Sequence, residues 1–148
     1  SGGALAVKLL TGAGHRVTDR NILPDDIEKI WGRVAALANS GLYDLILLTG
    51  GTGVSVRDVT PEAVRPLFDK ELPGFGELFR QLSYRDIGAA AFFSRASAGI
   101  VKRSLVVCLP GSPAAVELAL RELILPELAL LVFELSKHGP ADGISLLK

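Results

Sequence analysis

Tyr43-Asp44-Leu45-Ile46-Leu47-Leu48-Thr49 runs directly into Gly50-Gly51-Thr52-Gly53, and Arg57-Asp58-Val59-Thr60-Pro61-Glu62 follows. An apolar run without alternation predicts a strand covered on both faces, as in a parallel sheet. A strand that empties into glycines puts bare backbone N–H groups at the carboxyl edge of that sheet, where open α/β folds bind ligands. Adjacent glycines permit positive φ and let the backbone come close to a bulky anion. A carboxylate beside such a loop repels phosphate, but it can hold a metal ion that binds phosphate. The stretch reads as a phosphate cradle with an acid at its side.

Working outward, Gly3–Ala13 predicts a helix stopped by glycines, and His15–Leu23 predicts a strand. Pro24-Asp25-Asp26 opens the next helix, with proline in the first turn and acids at the positive helix end. There Ile27, Ile30, Trp31, Val34, Leu37 and Ala38 share one face, and Asn39-Ser40-Gly41 ends the helix. Alternating helices and strands with short connections predict right-handed crossovers. Beyond the glycines, Thr60 is the expected cap of a helix with Pro61 in its first turn. Leu72-Pro73-Gly74-Phe75-Gly76 reads as a chain break, followed by helices over Glu77–Asp86 and Ala89–Phe93. Ala96–Val101 and Ser104–Leu109 predict strands joined by a turn at Lys102-Arg103. Ala114–Leu123 and Pro126–Ser136 predict two helices, and the residues from Gly139 onward a tail or an edge strand.

The composition bounds the function. At 148 residues, 49% hydrophobic and 22% charged, the chain can bury a proper core as one domain. Sixteen basic residues balance sixteen acidic ones, so no global field draws nucleic acid or an anionic membrane, and any anion site is local. Apolar runs such as Leu128–Phe133 are too short to span a bilayer, and no signal segment opens the sequence. A cytoplasmic location is expected. Cys108 sits among apolar neighbours and reads as a buried, inert thiol. With one cysteine and only His15 and His138, a structural zinc site is not expected.

A second strand exit resembles the first. Leu109-Pro110-Gly111-Ser112-Pro113 follows an apolar run, and Ser112 can cap the helix that Pro113 begins. If the two strands are parallel neighbours, both loops reach one rim and their amides converge on one anion. Alone, either loop reads equally well as a tight strand-to-helix turn. Neither matches the nucleotide P-loop or the dinucleotide fingerprint. Asp58 reads as a solvated loop carboxylate or as a Mg²⁺ ligand bridging nucleotide phosphates. Asp25 reads as a helix N-terminal charge, but it follows a strand expected to be parallel to Tyr43–Thr49. That places it on the rim that carries Asp58. Arg57 either neutralises phosphate or is solvated; Lys102 and Arg103 read as solvated turn residues. Phe75, Phe79, Phe92 and Phe93 suit the core or a subunit interface.

Taken in order and spacing, Thr49–Gly53, Arg57–Glu62, Glu71-Leu72-Pro73-Gly74-Phe75-Gly76-Glu77 and Leu109–Pro113 resemble the molybdopterin-binding (MogA/MoaB-like) family. The likeness runs from about Ser1 to Leu135. It implies a doubly wound α/β three-layer sandwich with a mostly parallel sheet, whose first strand would lie upstream of Ser1. It also implies a molybdopterin adenylyltransferase, which joins the AMP of Mg-ATP to the terminal phosphate of molybdopterin and releases pyrophosphate. The implied partners are further copies, as a homotrimer or hexamer, and a molybdenum insertase. Asp25 and Asp58 are the implied catalytic and Mg²⁺-holding residues. Substrate and nucleotide would meet Thr49, Gly50, Gly51, Thr52, Gly53, Thr60, Pro110, Gly111, Ser112 and Pro113. A pterin-binding or trimerising scaffold without catalysis is the alternative.

Overall fold

A computed structural model of the protein describes residues 1–135 and 143–147. The elements are α1 (Gly2–Gly12), β1 (Arg16–Asn21), α2 (Ile27–Ser40), β2 (Tyr43–Thr49), α3 (Thr60–Val64), β3 (Lys70–Glu71), α4 (Pro73–Ile87), β4 (Ser97–Val101), β5 (Ser104–Leu109), α5 (Pro113–Ala119), α6 (Leu125–Leu135) and β6 (Gly143–Leu147). The strands form one six-stranded sheet in the order β1-β6-β2-β5-β4-β3. β1, β6, β2 and β5 are parallel, while β4 and β3 run antiparallel at one side.

The central strands are apolar throughout because helices cover both faces. Leu45 and Leu47 pack with Ala6, Leu10, Phe79, Val116 and Leu128 under α1, α4, α5 and α6. Ile46 and Leu48 point the other way, into Ile30, Val34, Leu37 and Val64 of α2 and α3. This is the expected three-layer α/β arrangement. Cys108 is fully buried, and burial pushes its thiol up to about 12. Among the described residues no helix is long and apolar enough to cross a membrane.

Several expectations are corrected. Residues 143–147 form neither a tail nor an edge. They are a fully buried strand between β1 and β2. Gly143 enters this slot because a Cβ there would lie 2.5 Å from the Leu42 carbonyl oxygen. Ser145 then fixes the register: its hydroxyl donates to Asp19 Oδ2 at 2.7 Å. Arg33 Nη2 and Asn21 Nδ2 donate to the same carboxylate, which ties β1, α2 and β6 together. Burial pushes Asp19 upward, but the Ser145, Asn21 and Arg33 contacts outweigh it and hold the group below the ordinary aspartate value.

Leu72–Gly76 does not break the chain. Pro73 is the first residue of α4, where its missing N–H costs nothing, and the helix runs on through both glycines. At Gly76 a side chain would collide with the Ala96 carbonyl oxygen, 2.7 Å from the Cβ position. The two C-terminal helices join through a π-helical turn at Leu120–Ile124, just ahead of Pro126. Such a turn absorbs the hydrogen bond that proline cannot donate. The expected last residue of that helix, Ser136, lies outside the described residues. Pro24 stands before the cap of α2 rather than in its first turn. On α2, Ile27 and Trp31 are about half exposed, so the buried stripe is Ile30, Val34, Leu37 and Ala38.

Candidate functional site

The carboxyl edge of the parallel strands carries the candidate site. β2 and β5 are parallel neighbours, with Thr49 opposite Leu109, so both glycine-bearing exits leave side by side. Gly50 N donates to Leu109 O at 2.7 Å, which stitches the exits together. Gly50 and Gly51 have φ of 101° and 73°, the left-handed region that disfavours a side chain. Gly51 is doubly constrained, since a Cβ there would lie 2.3 Å from Thr60 Oγ1.

Thr60 sits behind the loop. Val59, not Thr60, is the N-cap of α3, and the Thr60 hydroxyl donates to Gly50 O at 2.9 Å while its N–H donates to Gly51 O. It is a strut for the glycines. Ser112 does cap α5 as expected: its hydroxyl accepts from Ala115 N at 3.2 Å, with Pro113 first in the helix.

The start of α1 closes the third side. Ser1 caps it by accepting from Ala4 N, and Gly2 packs against the Pro110–Pro113 turn, with its Cβ position 2.5 Å from Gly111 O. Between α1 and the strand ends lies a cavity of about 530 Å³, lined by Ser1, Gly2, Gly3, Arg20, Asn21, Ile22, Thr49, Gly111, Pro113 and Leu146. That is the volume of a typical small-molecule site. Thr49 is among its lining residues, and the Thr49 hydroxyl is buried and without a hydrogen-bond partner. Buried polar groups are nearly always paired, so an orphan on a residue that lines a cavity is suited to a ligand.

Asp58 lies just beyond the glycines. Its Oδ2 accepts from Ser55 N and Ser55 Oγ, each at 2.9 Å, and Asp58 N returns a bond to Ser55 O. The Ser55 bonds, helped by Arg95 and Arg57, keep its carboxyl ionised below the usual carboxylate range, although partial burial opposes them. Gly53 permits this turn, since a Cβ there would approach Asp58 Oδ2 to 2.7 Å. The other oxygen, Oδ1, takes no part in the Ser55 bonds. One ionised carboxylate with an uncommitted oxygen beside a phosphate cradle fits Mg²⁺, which takes one or two carboxylates together with phosphate oxygens and water.

Asp25 is exposed, at the centre of a tight turn closed by Asp26 N donating to Pro24 O at 2.8 Å. Because β1 and β2 are both parallel to β6, this turn shares the edge that carries Asp58. One strand separates their parent strands, a spacing of about 10 Å at two sheet steps. The neighbouring Asp26 is the N-cap of α2, its carboxylate accepting from Lys29 N. Among the described residues no three His, Cys, Asp or Glu side chains gather as a metal cluster.

Sequence reading missed Arg95, which grips the glycine loop from the segment before β4. Its Nε donates to Gly53 O and its Nη2 to Asp58 O, each at 2.8 Å. Nothing local in the sequence announces contacts across that separation. Arg57, by contrast, is exposed near Asp58, and Lys102 shapes the β4–β5 turn with its N–H on Asp69.

A family model described as "Probable molybdopterin binding domain" matches residues 1–130. The chain belongs to this family. It is 48% identical over 136 residues to molybdenum cofactor biosynthesis protein B of Bacillus subtilis, covering 91% of this chain and 80% of that protein. A crystal structure of a molybdenum cofactor biosynthesis protein B superposes with a TM-score of 0.88 at 50% identity, covering 91% and 84% of the two chains. The tungsten cofactor synthesizing protein MoaB of Pyrococcus furiosus gives 0.80 at 39% identity, covering 90% and 84%. MogA gives 0.78 at 26%, covering 90% and 89%. The fold is therefore that of the MoaB/MogA proteins, and family membership supports a role in molybdenum cofactor biosynthesis.

Proposed function

We propose that this protein adenylylates molybdopterin: the terminal phosphate of the pterin attacks the α-phosphorus of ATP, AMP is transferred and pyrophosphate leaves. A phosphate nucleophile needs no strong base, so positioning and charge neutralisation account for most of the catalysis. The amides of Gly51, Thr52 and Gly53, with the Pro110–Pro113 turn, would hold phosphate oxygens, while Gly50, its N–H taken by Leu109 O, shapes the loop. The Thr49 hydroxyl would donate to the ligand in the cavity under α1. Asp58, with Asp25 from the turn after β1, would hold Mg²⁺. The metal, when bound, neutralises phosphate charge.

The single observation that carries this reading is the orphaned Thr49 hydroxyl, buried at a cradle of positive-φ glycines next to an ionised aspartate. The deciding assay is pyrophosphate release that requires both ATP and molybdopterin. Absence of release from well-folded protein that still binds the pterin would leave a carrier or scaffold. The commitment of one Asp58 oxygen to Ser55, and the strand interposed between the two acids, are what favour that second reading. For Thr49→Val the fold should be retained, because no hydrogen bond is lost, while pterin affinity drops about tenfold, the loss of one well-made hydrogen bond. Undiminished affinity by titration calorimetry would remove Thr49 from the site.

A homotrimer or hexamer is proposed as the working state, with exposed Phe92, Phe93 and Phe133 as apolar surface available for burial between copies. A molybdenum insertase would take the adenylylated product in the cytoplasm.

A further inference from the structure

Arg95 stands 42 positions from Gly53 and 37 from Asp58, yet its side chain binds both carbonyls. Its Nη1 pairs with the Glu62 carboxylate on α3, and its own N–H donates to Thr52 O at 3.0 Å. One residue thus holds the loop at Thr52, Gly53 and Asp58 while bracing against the next helix. The Ser55–Asp58 bonds fix the small turn internally, and Thr60 anchors its ends to Gly50 and Gly51. Only Arg95, among these contacts, ties the stretch from Gly53 to Asp58 back to the segment leading into β4. A guanidinium presents its donors in one rigid plane, which suits several acceptors at fixed angles; a lysine ammonium on a flexible stem does not replace it.

We propose that Arg95 is the positioning residue of this site, setting the pose in which the Asp58 carboxylate faces the glycine cradle. It acts through the loop backbone and touches no substrate. Glu62 keeps the guanidinium plane in place and neutralises it, so the arginine is not free to take phosphate itself. The kinetic part of the proposal rests on the adenylyl-transfer reading above; the structural part does not.

The test compares Arg95→Lys and Arg95→Gln with the wild-type chain. Amide hydrogen exchange at Ser55 and Asp58 should accelerate at least about tenfold in Arg95→Lys, as local opening becomes easier, with protection in β2 and β5 unchanged. Adenylyl transfer should fall about 30-fold in kcat, within the range for a catalytic group displaced by about 1 Å. KM for the pterin should stay within about twofold, because uniform binding is untouched. The Mg²⁺ concentration for half-maximal rate should rise. Wild-type exchange and wild-type kcat in Arg95→Lys would overturn the proposal. So would a rise in pterin KM with unchanged loop exchange, which would make Arg95 a direct ligand. If Arg95→Gln does not fold, Arg95→Lys decides. If the wild-type chain transfers no AMP, the functional reading fails by itself, and exchange at Ser55 and Asp58 still decides the role of Arg95.

Discussion

The two acids of the rim are held in opposite ways. Asp58 sits in a turn fixed by Ser55, Arg95 and the room that Gly53 leaves, whereas Asp25 rides on an exposed turn closed by one backbone hydrogen bond. A carboxylate already in place loses little freedom when it takes up a metal or substrate; one on a loose turn must be ordered first. For the transfer reaction proposed above, the difference predicts unequal shares. Asp58 should contribute most to transfer, and Asp25 should assist once a ligand draws it in.

Asp58→Asn offers the strongest test of that inequality. Adenylyl transfer should fall by at least about 10²-fold, comparable to losing one preorganised electrostatic group, while pterin binding persists. Wild-type turnover would remove the metal-ligand assignment. A second route is to disturb what separates the acids, since β6 lies between their strands. Ser145→Ala removes a hydrogen bond to an ionised, largely buried Asp19 and should cost about 2 kcal/mol in urea denaturation. A cost near zero would mean that β6 does not depend on this latch. Asp25→Asn should slow transfer only about tenfold, less than the Asp58 change, by the ordering argument. Equal losses at both positions would break the comparison.

The smallest effect is on pH. The Asp58 carboxyl is depressed in the folded state, so the stability it contributes is present above the pKa of the unfolded chain and is lost as pH falls through the folded value. An NMR carboxyl titration should place its midpoint below the value of about 3.9 for a free aspartate. The stability difference between wild type and Ser55→Ala should shrink across the same acid range. A midpoint at or above the free value would mean that the Ser55 bonds do not persist in solution.

The legible parts of the molecule were those written in contiguous residues. Seven residues of β2, apolar on both faces and closed by glycines, declare both a buried strand and a ligand edge. Ser112-Pro113 likewise announces a cap and a helix start. The rest depends on contacts distant in sequence. Gly143–Leu147 is short and carries a serine, so nothing in its own pattern distinguishes a central strand from a tail. Its place depends on Asp19, 126 positions away. Pro73-Gly74-Phe75-Gly76 has the composition of a breaker, and only the packing against Ala96 explains why it is helical. Thr60 has the residue type of a cap, but the nearby Gly50 carbonyl captures its hydroxyl instead. Nothing in the residues around Arg95 marks it off from a solvated loop cation, because its acceptors lie 37 and 42 positions away.

The position of β6 also has a consequence for how the molecule is made. β1 and β2 share no backbone ladder of their own; each pairs with the strand that is synthesised after every helix described here. While the chain emerges from the ribosome, the slot between β1 and β2 therefore stays open, with the polar strand β1 and the apolar strand β2 waiting for a late arrival. Such late, long-range parallel pairing is slow and leaves edges open to wrong partners. Tight closure of the rim, and with it the cavity floor at Leu146, must come at the end of folding.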